Sequence, residues 1–169
     1  MKVLGIETAT IVCAAAVVEN GKLLSEKYLT EPHIHSEKLL TVIRQVLNTN
    51  KYFDALTISI GPGSFTGLRI GLSVAKGLAF ASGKPLLAIS TLEALALNFI
   101  IPDKVKQGAL ICPLIDARRD EFYTALYRAN GNGLSTVMEP QARRFGDLLD
   151  IFPDEELNFI GDGVEKFKN

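Results

Sequence analysis

Residues 60–71 read IGPGSFTGLRIG, and the fold turns on how this stretch is understood. Four glycines, a proline, two hydroxyl side chains and an arginine stand between an apolar run and a long run of apolar and small residues. Glycine and proline set turn conformations, and a small polar side chain can accept from the free N–H groups that open a helix, so the chain should bend out of a strand straight into a helix. Three familiar motifs do not fit. A Walker loop needs lysine and a hydroxyl directly after its last glycine, whereas Gly67 is followed by Leu68 and Arg69. A dinucleotide fingerprint needs glycine where Thr66 stands, and a nucleophile elbow needs glycine in place of Pro62. Two readings remain: a tight strand-to-helix turn capped by Ser64 or Thr66, or an anion-binding loop made of Gly61, Gly63, Ser64 and Thr66 at a helix N-terminus.

Working outward, ALTISI (55–60) is the entering strand and residues 67–82 the following helix. Gly67, Gly71 and Ala75 recur at four-residue spacing, with Ala79 and Ser82 on the same side and Leu68, Leu72 and Val74 beside them. Glycine inside a helix costs up to about 1 kcal/mol against alanine, so this stripe implies close approach to something. Its own sheet is one candidate and a facing helix from another chain is the other. An earlier helix, 36–48, places Leu39, Leu40, Val42, Ile43, Val46 and Leu47 over an arc of roughly 160°, wider than the roughly 100° of a helix with one buried face. It is either sunk deeply in its own domain or carries a partner-binding surface.

Around these helices the chain reads KVLGI (2–6), VCAAAVV (12–18) and KLLSEKYL (22–29) as a strand meander, with the hairpin signal Asn20-Gly21 between the last two. Strand PLLAI (85–89) and a helix opened by Ser90 or Thr91 follow, giving the order βββαβαβα. A second pass starts near Gly108: ALICPLI (109–115) and EFYTALYR (121–128) flank the turn DARRD, and Asn130–Gly133 leads into LSTVMEP. LIDARRDEFYTALY repeats the plan of GIETATIVCAAAVV, an apolar strand ending in an acid, a short turn and a returning strand. The second pass then shortens, with FGDLLDIF as a short helix and LNFIGDG as a strand, and is expected to lack the helix, strand and helix of the first. The expected lobes are 1–107 and 108–169.

At 169 residues, 47% hydrophobic and 22% charged, the chain can bury a core without staples. No apolar run approaches the roughly 18–20 residues of a membrane span, and the start MKVLGIETAT does not read as a secretory signal, so the expected location is the cytoplasm. A net charge of −1 supplies no global field for nucleic acid, so any RNA is expected to be held through a complex. Cys13 and Cys112 sit in strand-like apolar runs and read as core thiols. The only histidines, His33 and His35, are two apart rather than four, and no metal site can be assembled from them. His35 reads as the polar residue at a helix start. Arg69 in a first helical turn works against the macrodipole and so should answer an acid from another element or chain. Glu7 and Asp116 end corresponding strands; each caps its own turn, or the pair marks a cleft. The pairs Arg118-Arg119 and Arg143-Arg144 read as solvated and too few to bind tRNA unaided.

The IETAT start, the HSEKLL helix opening, the GPGSFTGLRIGLSVAKGLA block, STLEALA and IDARRDEFY together resemble the TsaB (YeaZ) family. The resemblance implies an α/β fold of the actin, heat-shock ATPase and sugar-kinase superfamily: a duplicated, ribonuclease H-like arrangement of mixed sheets flanked by helices, here with an incomplete second lobe. It implies a non-catalytic subunit of the machinery that attaches a threonylcarbamoyl group to the tRNA adenosine beside the anticodon. A paralogue of the TsaD family would carry the metal and the transfer chemistry, and a small ATPase of the TsaE family would complete the assembly. ATP or ADP and metal would be held by, or shared with, those partners, and Glu7, Thr8 and Asp116 would line any cleft nucleotide site. The expected partner surface comprises His35, Leu39, Leu40, Ile43, Leu47, Gly67, Arg69, Gly71, Leu72, Ala75 and Lys76, used for a two-fold homodimer when the chain is alone. The competing expectation is a stand-alone ATPase, kinase or metallopeptidase-like enzyme of the same superfamily.

Overall fold

The computed structural model describes residues 1–49, 52–100, 106–131 and 133–167, which divide into two compact units, Met1–Ser90 and Thr91–Asn169. The first unit is a five-stranded sheet in the order β3-β2-β1-β4-β5, built from β1 (Lys2–Glu7), β2 (Val12–Glu19), β3 (Lys22–Thr30), β4 (Ala55–Ser59) and β5 (Leu86–Ile89). Strands β1, β2 and β3 form the expected meander, and Asn20 and Gly21 take φ of 49° and 80° in the turn between the last two. β4 then pairs parallel to β1, as a strand entered through a crossover helix must.

Alternation decides which face is covered. In β1 and β2, Leu4 lies opposite Val17 and Ile6 opposite Ala15, all buried, and Leu56 and Ile58 of β4 continue the same face. Helices α1 (His35–Thr49) and α2 (Phe65–Ser82) pack there, and Leu39, Val42, Ile43 and Val46 of α1 enter the same core as Ala75 of α2. The wide apolar arc of α1 is thus used inside the unit, because the helix meets β2, β3 and α2 at once. Of its apolar residues only Leu40 is exposed, while Leu47 is half-buried against the core.

The second unit has a four-stranded sheet in the order β8-β7-β6-β9, from β6 (Leu110–Arg118), β7 (Glu121–Asn130), β8 (Gly133–Arg144) and β9 (Leu157–Ile160). Helix α3 (Thr91–Ile100) covers one face through Leu92, Ala96 and Ile100 against Ile111, Ile115 and Tyr127. Helices α4 (Phe145–Leu149) and α5 (Gly163–Phe167) belong to the other, where Leu148 and Val164 meet Leu110, Cys112, Leu114 and Phe122. β6 is therefore buried on both faces, which is why its first six residues are continuously apolar rather than alternating.

Two expectations are corrected by this arrangement. The boundary expected after residue 107 falls at Ser90, because α3 buries its apolar side against β6 and β7. The second pass also goes further than expected: the short helix and strand expected at FGDLLDIF and LNFIGDG form as α4 and β9, and helix α5 then follows, with β9 parallel to β6, so β8-β7-β6-β9 repeats the order and strand directions of β3-β2-β1-β4. Among the described residues the second sheet has no counterpart of β5.

Candidate functional site

The stretch 60–71 forms the turn that packs α2 onto the end of β1. Ser64 caps α2, accepting from the Gly67 N–H at 3.2 Å, while its own N–H donates to the Ala9 carbonyl at 2.6 Å. A Cβ at Gly63 or Gly67 would overlap the carbonyl oxygen of Ala9 or Thr8, and one at Gly71 would overlap the Thr8 hydroxyl. The four-residue stripe is thus explained inside the unit: it lets the helix lie against the turn that follows β1. Gly67, Gly71 and Ala75 are buried, and the groove expected for a facing helix of another chain is filled by Thr8.

Glu7, at the end of β1, is committed as well. One carboxylate oxygen accepts from the Ala9 N–H at 2.5 Å and the other from the Ser59 hydroxyl at the end of β4. Thr8 is fully buried, and its hydroxyl finds no partner among the described residues. A nucleotide or metal at this loop would need an open carboxylate, a reachable hydroxyl and free helix N–H groups. Glu7 is instead bonded to Ala9 and Ser59, Thr8 is buried, and Ser64 takes the Gly67 N–H, while Ser64 and Thr66 themselves lie exposed at the start of α2. With the carboxylate engaged and the Thr8 hydroxyl buried, the capped-turn reading is the one this geometry supports.

Asp116 plays the corresponding part in the second unit with a different environment. Its carboxylate accepts from the Arg118 N–H at 2.8 Å, two residues on, as Glu7 does from Ala9. It also accepts from Lys166 of α5 at 3.0 Å, and its backbone N–H donates to Asp162 at 3.3 Å. Partial enclosure would raise the Asp116 carboxyl, but the Arg118 N–H and the Lys166 ammonium outweigh it and hold the group below the ordinary aspartate value. Asp162 is exposed by area, yet enclosure of its carboxyl, reinforced by the Asp116 charge, moves it the other way, upward. Ser59, Asp162 and Lys166 are absent from the sequence reading. A signal for Asp162 is visible in hindsight: Gly161-Asp162-Gly163 follows β9 as Gly61-Pro62-Gly63 follows β4, and a Cβ at either Gly161 or Gly163 would strike Leu114.

The expected partner surface separates into two groups. His35, Leu39, Ile43, Gly67, Gly71 and Ala75 are buried, with His35 Nε2 donating to the Val12 carbonyl at 3.2 Å, so these residues belong to the core. Leu40, Arg69 and Lys76 are exposed, and Leu47 and Leu72 are half-buried. Arg69 needs no outside acid to explain it: its guanidinium lies 3.8 Å from the ring centroid of Phe65, one turn earlier on the same helix. Phe65 and Phe80 are both exposed on α2, where the apolar period alone does not mark them as surface residues. Both cysteines are buried, and burial pushes the Cys112 thiol up to about 11. Among the described residues no three His, Cys, Asp or Glu side chains converge as a metal site, and no helix is long and apolar enough to cross a membrane.

Residues 22–166 match the family model described as TsaD, tRNA N6-adenosine threonylcarbamoyltransferase. The tRNA threonylcarbamoyladenosine biosynthesis protein TsaB of Escherichia coli is 35% identical over 84% of this chain and 62% of its own length. The protein of the same description from Bacillus subtilis is 30% identical over 95% of this chain and 71% of its own. The chain thus spans less than two thirds of the first of these relatives. Among solved structures, YeaZ from Pseudomonas aeruginosa superposes with a TM-score of 0.85 at 29% identity, covering 99% of this chain and 78% of that one. A ROK family protein from Streptococcus pneumoniae shares the fold at 16% identity, with a TM-score of 0.53 over 94% of this chain and 56% of the other. With the duplicated actin-like sheets and the capped glycine turn in place, these likenesses show that the chain belongs to the TsaB (YeaZ) family.

Proposed function

We propose that this chain is a non-catalytic subunit in the threonylcarbamoyl modification of the tRNA adenosine beside the anticodon, acting in the cytoplasm as scaffold and activator of a catalytic, metal-binding paralogue of the TsaD family. The observation that carries this reading is the closed first loop. In a chain of this family, Glu7 is taken up by Ala9 and Ser59, and the glycines of the loop press on Thr8 and Ala9 rather than on open space. A subunit built this way contributes shape and surface, while ATP or ADP and any metal are held by TsaD- and TsaE-type partners, and tRNA is met within the assembly.

The partner face we assign is narrower than the one read from periodicity. It consists of Leu40 on α1 with Phe65, Arg69, Leu72, Lys76 and Phe80 on the outer side of α2. Phe80, 93% exposed, is the kind of aromatic anchor that interfaces bury. The same face serves a homodimer in the absence of the paralogue, since a two-fold contact uses one patch twice.

The test is to remove the chain from its native cell and quantify threonylcarbamoyladenosine in digested tRNA by mass spectrometry. Loss of the nucleoside, restored by the wild-type chain, is expected; an unchanged level would overturn the role. Magnesium-dependent ATP turnover by the purified chain would instead favour the stand-alone enzyme.

A further inference from the structure

We propose that the end of the second sheet where Arg118, Arg119, Arg143 and Arg144 come together is a docking surface for an RNA phosphate backbone. In sequence these are two isolated pairs, one in the β6–β7 turn and one at the end of β8. Strand register unites them. Glu121 pairs with Arg118 on one side and with Arg144 on the other, so the three form one row across β6, β7 and β8, while Arg143 lies opposite Phe122 on the other face. Residues directly paired across strands share a face, which places Arg118 and Arg144 on the same face and two strand spacings, about 9–10 Å, apart.

Glu121 stands half-buried in the row between Arg118 and Arg144, and among the described residues it forms an ion pair with neither; the other acids nearby are turned away. Asp116 is bonded to the Arg118 N–H and to Lys166, and Asp120 lies 3.8 Å from the same ammonium, so both are drawn toward α5. Among the described residues, no carboxylate lies within ion-pair distance of Arg119, Arg143 or Arg144, and Gln141 accepts from Arg143 at 2.8 Å. All four arginines are exposed, whereas Arg128, farther along β7, is tied to Glu155 by two hydrogen bonds. Guanidinium forks match phosphate oxygens in pairs, and exposed, uncommitted ones are what a backbone contact requires.

An acidic protein is the rival ligand, and the surface argues against it. Stable protein interfaces are centred on apolar or aromatic anchors, and the exposed residues here beyond the arginines are Asp116, Asp120 and Ala142. Four contacts also agree with a weak role, adding affinity and orientation to RNA already held elsewhere in an assembly. The choice of RNA rests on the proposed part in tRNA modification; the clustering does not.

The experiment uses the full chain and a labelled synthetic RNA hairpin, with amide chemical-shift mapping and fluorescence anisotropy across a range of salt concentrations. Shifts centred on 116–121 and 141–144 are expected. The R119Q/R143Q/R144Q variant, shown to be folded by its amide spectrum, should bind about tenfold or more weakly at low salt, and the slope of log affinity against log salt should fall by about 2–3. Replacing Lys22 and Lys27 of β3 by glutamine should change neither. No binding, shifts centred elsewhere, or an unaltered slope in the arginine variant would overturn the proposal, as would poly-glutamate binding more tightly than the hairpin. Native-cell tRNA modification is read separately: RNA binding at this end without any effect of the chain on the modified nucleoside would sink the proposed function and leave this surface standing.

Discussion

In the first unit the acid that ends the leading strand is held by uncharged groups, and in the second by a charge. Glu7 accepts from a backbone N–H and a serine hydroxyl, with Thr8 of its own turn pressed onto Gly67 and Gly71 of α2 and Ala9 onto Gly63 just before it. Asp116 accepts from the equivalent N–H but turns to Lys166, and both its turn and its partner stay in water. The same strand-turn-strand plan therefore yields a packed seam in one unit and a polar rim in the other. The difference follows from what packs on each turn: in the first the small residues of α2 lie against Thr8, and in the second Lys166 of α5 reaches Asp116.

If the first turn is a packed seam, filling it should do the most damage of any single change. Gly67→Ala puts a methyl group into the Thr8 carbonyl, so the expected loss of stability lies at or above the top of the roughly 1–3 kcal/mol that overpacking costs. Gly77→Ala on the same helix meets no atom within 4 Å and should stabilise by up to about 1 kcal/mol through helix propensity. Chemical denaturation of the two variants measures both. Effects of the same sign would show that the stripe is not a seam.

The buried thiols test the interiors of the two units. The native second unit keeps Cys112 protonated until about pH 11, whereas the unfolded chain loses that proton near the ordinary thiol value of 9.0. Above pH 9 the unfolded state therefore binds fewer protons, and stability falls as pH rises, by about 2–3 kcal/mol at pH 11. Denaturation midpoints from pH 8 to 11 should show a shallower decline in Cys112→Ala than in wild type. Equal slopes would mean that the thiol reaches water in the native state.

Much of this contrast could be read from the residues, and what escaped has identifiable causes. The meander, the glycine turn and the alternation of helices and strands follow from local chemistry: Asn20-Gly21 takes positive φ, Ser64 caps, and the apolar periods change from two to about 3.6. Periodicity counts apolar surface, however, and does not say what covers it. Leu39 and Ile43 were therefore indistinguishable from Leu40 until the sheet and α2 were placed around them. Small residues carry the same ambiguity, because Gly67 and Gly71 suit a partner helix as well as the carbonyl and hydroxyl of Thr8. The arginine cluster was illegible for a different reason. Its two pairs lie 24 residues apart, and only the register of β6, β7 and β8 brings them to one end.

The smallest expected effect sharpens the charged side of the comparison. Lys166 lies 3.0 Å from Asp116, with 35% and 40% of their side chains exposed, so water and salt screen most of the attraction and the pair contributes well under 1 kcal/mol. Its sign is nonetheless fixed. A carboxyl held below its unfolded value stabilises the fold above the ordinary aspartate range, and that contribution is lost as pH falls through the lowered native value. Lys166→Gln should leave the midpoint nearly unchanged at pH 7 and high salt, lower it slightly at pH 7 and low salt, and converge with wild type in acid. The Asp116 carboxyl, followed by NMR, should titrate higher in the variant while keeping the bond from the Arg118 N–H, since the turn does not need the lysine. An unshifted titration would show that the N–H bond alone holds the carboxyl down. The second unit would then hold its acid as the first does, and the contrast between packed seam and charged rim would shrink to a difference in burial.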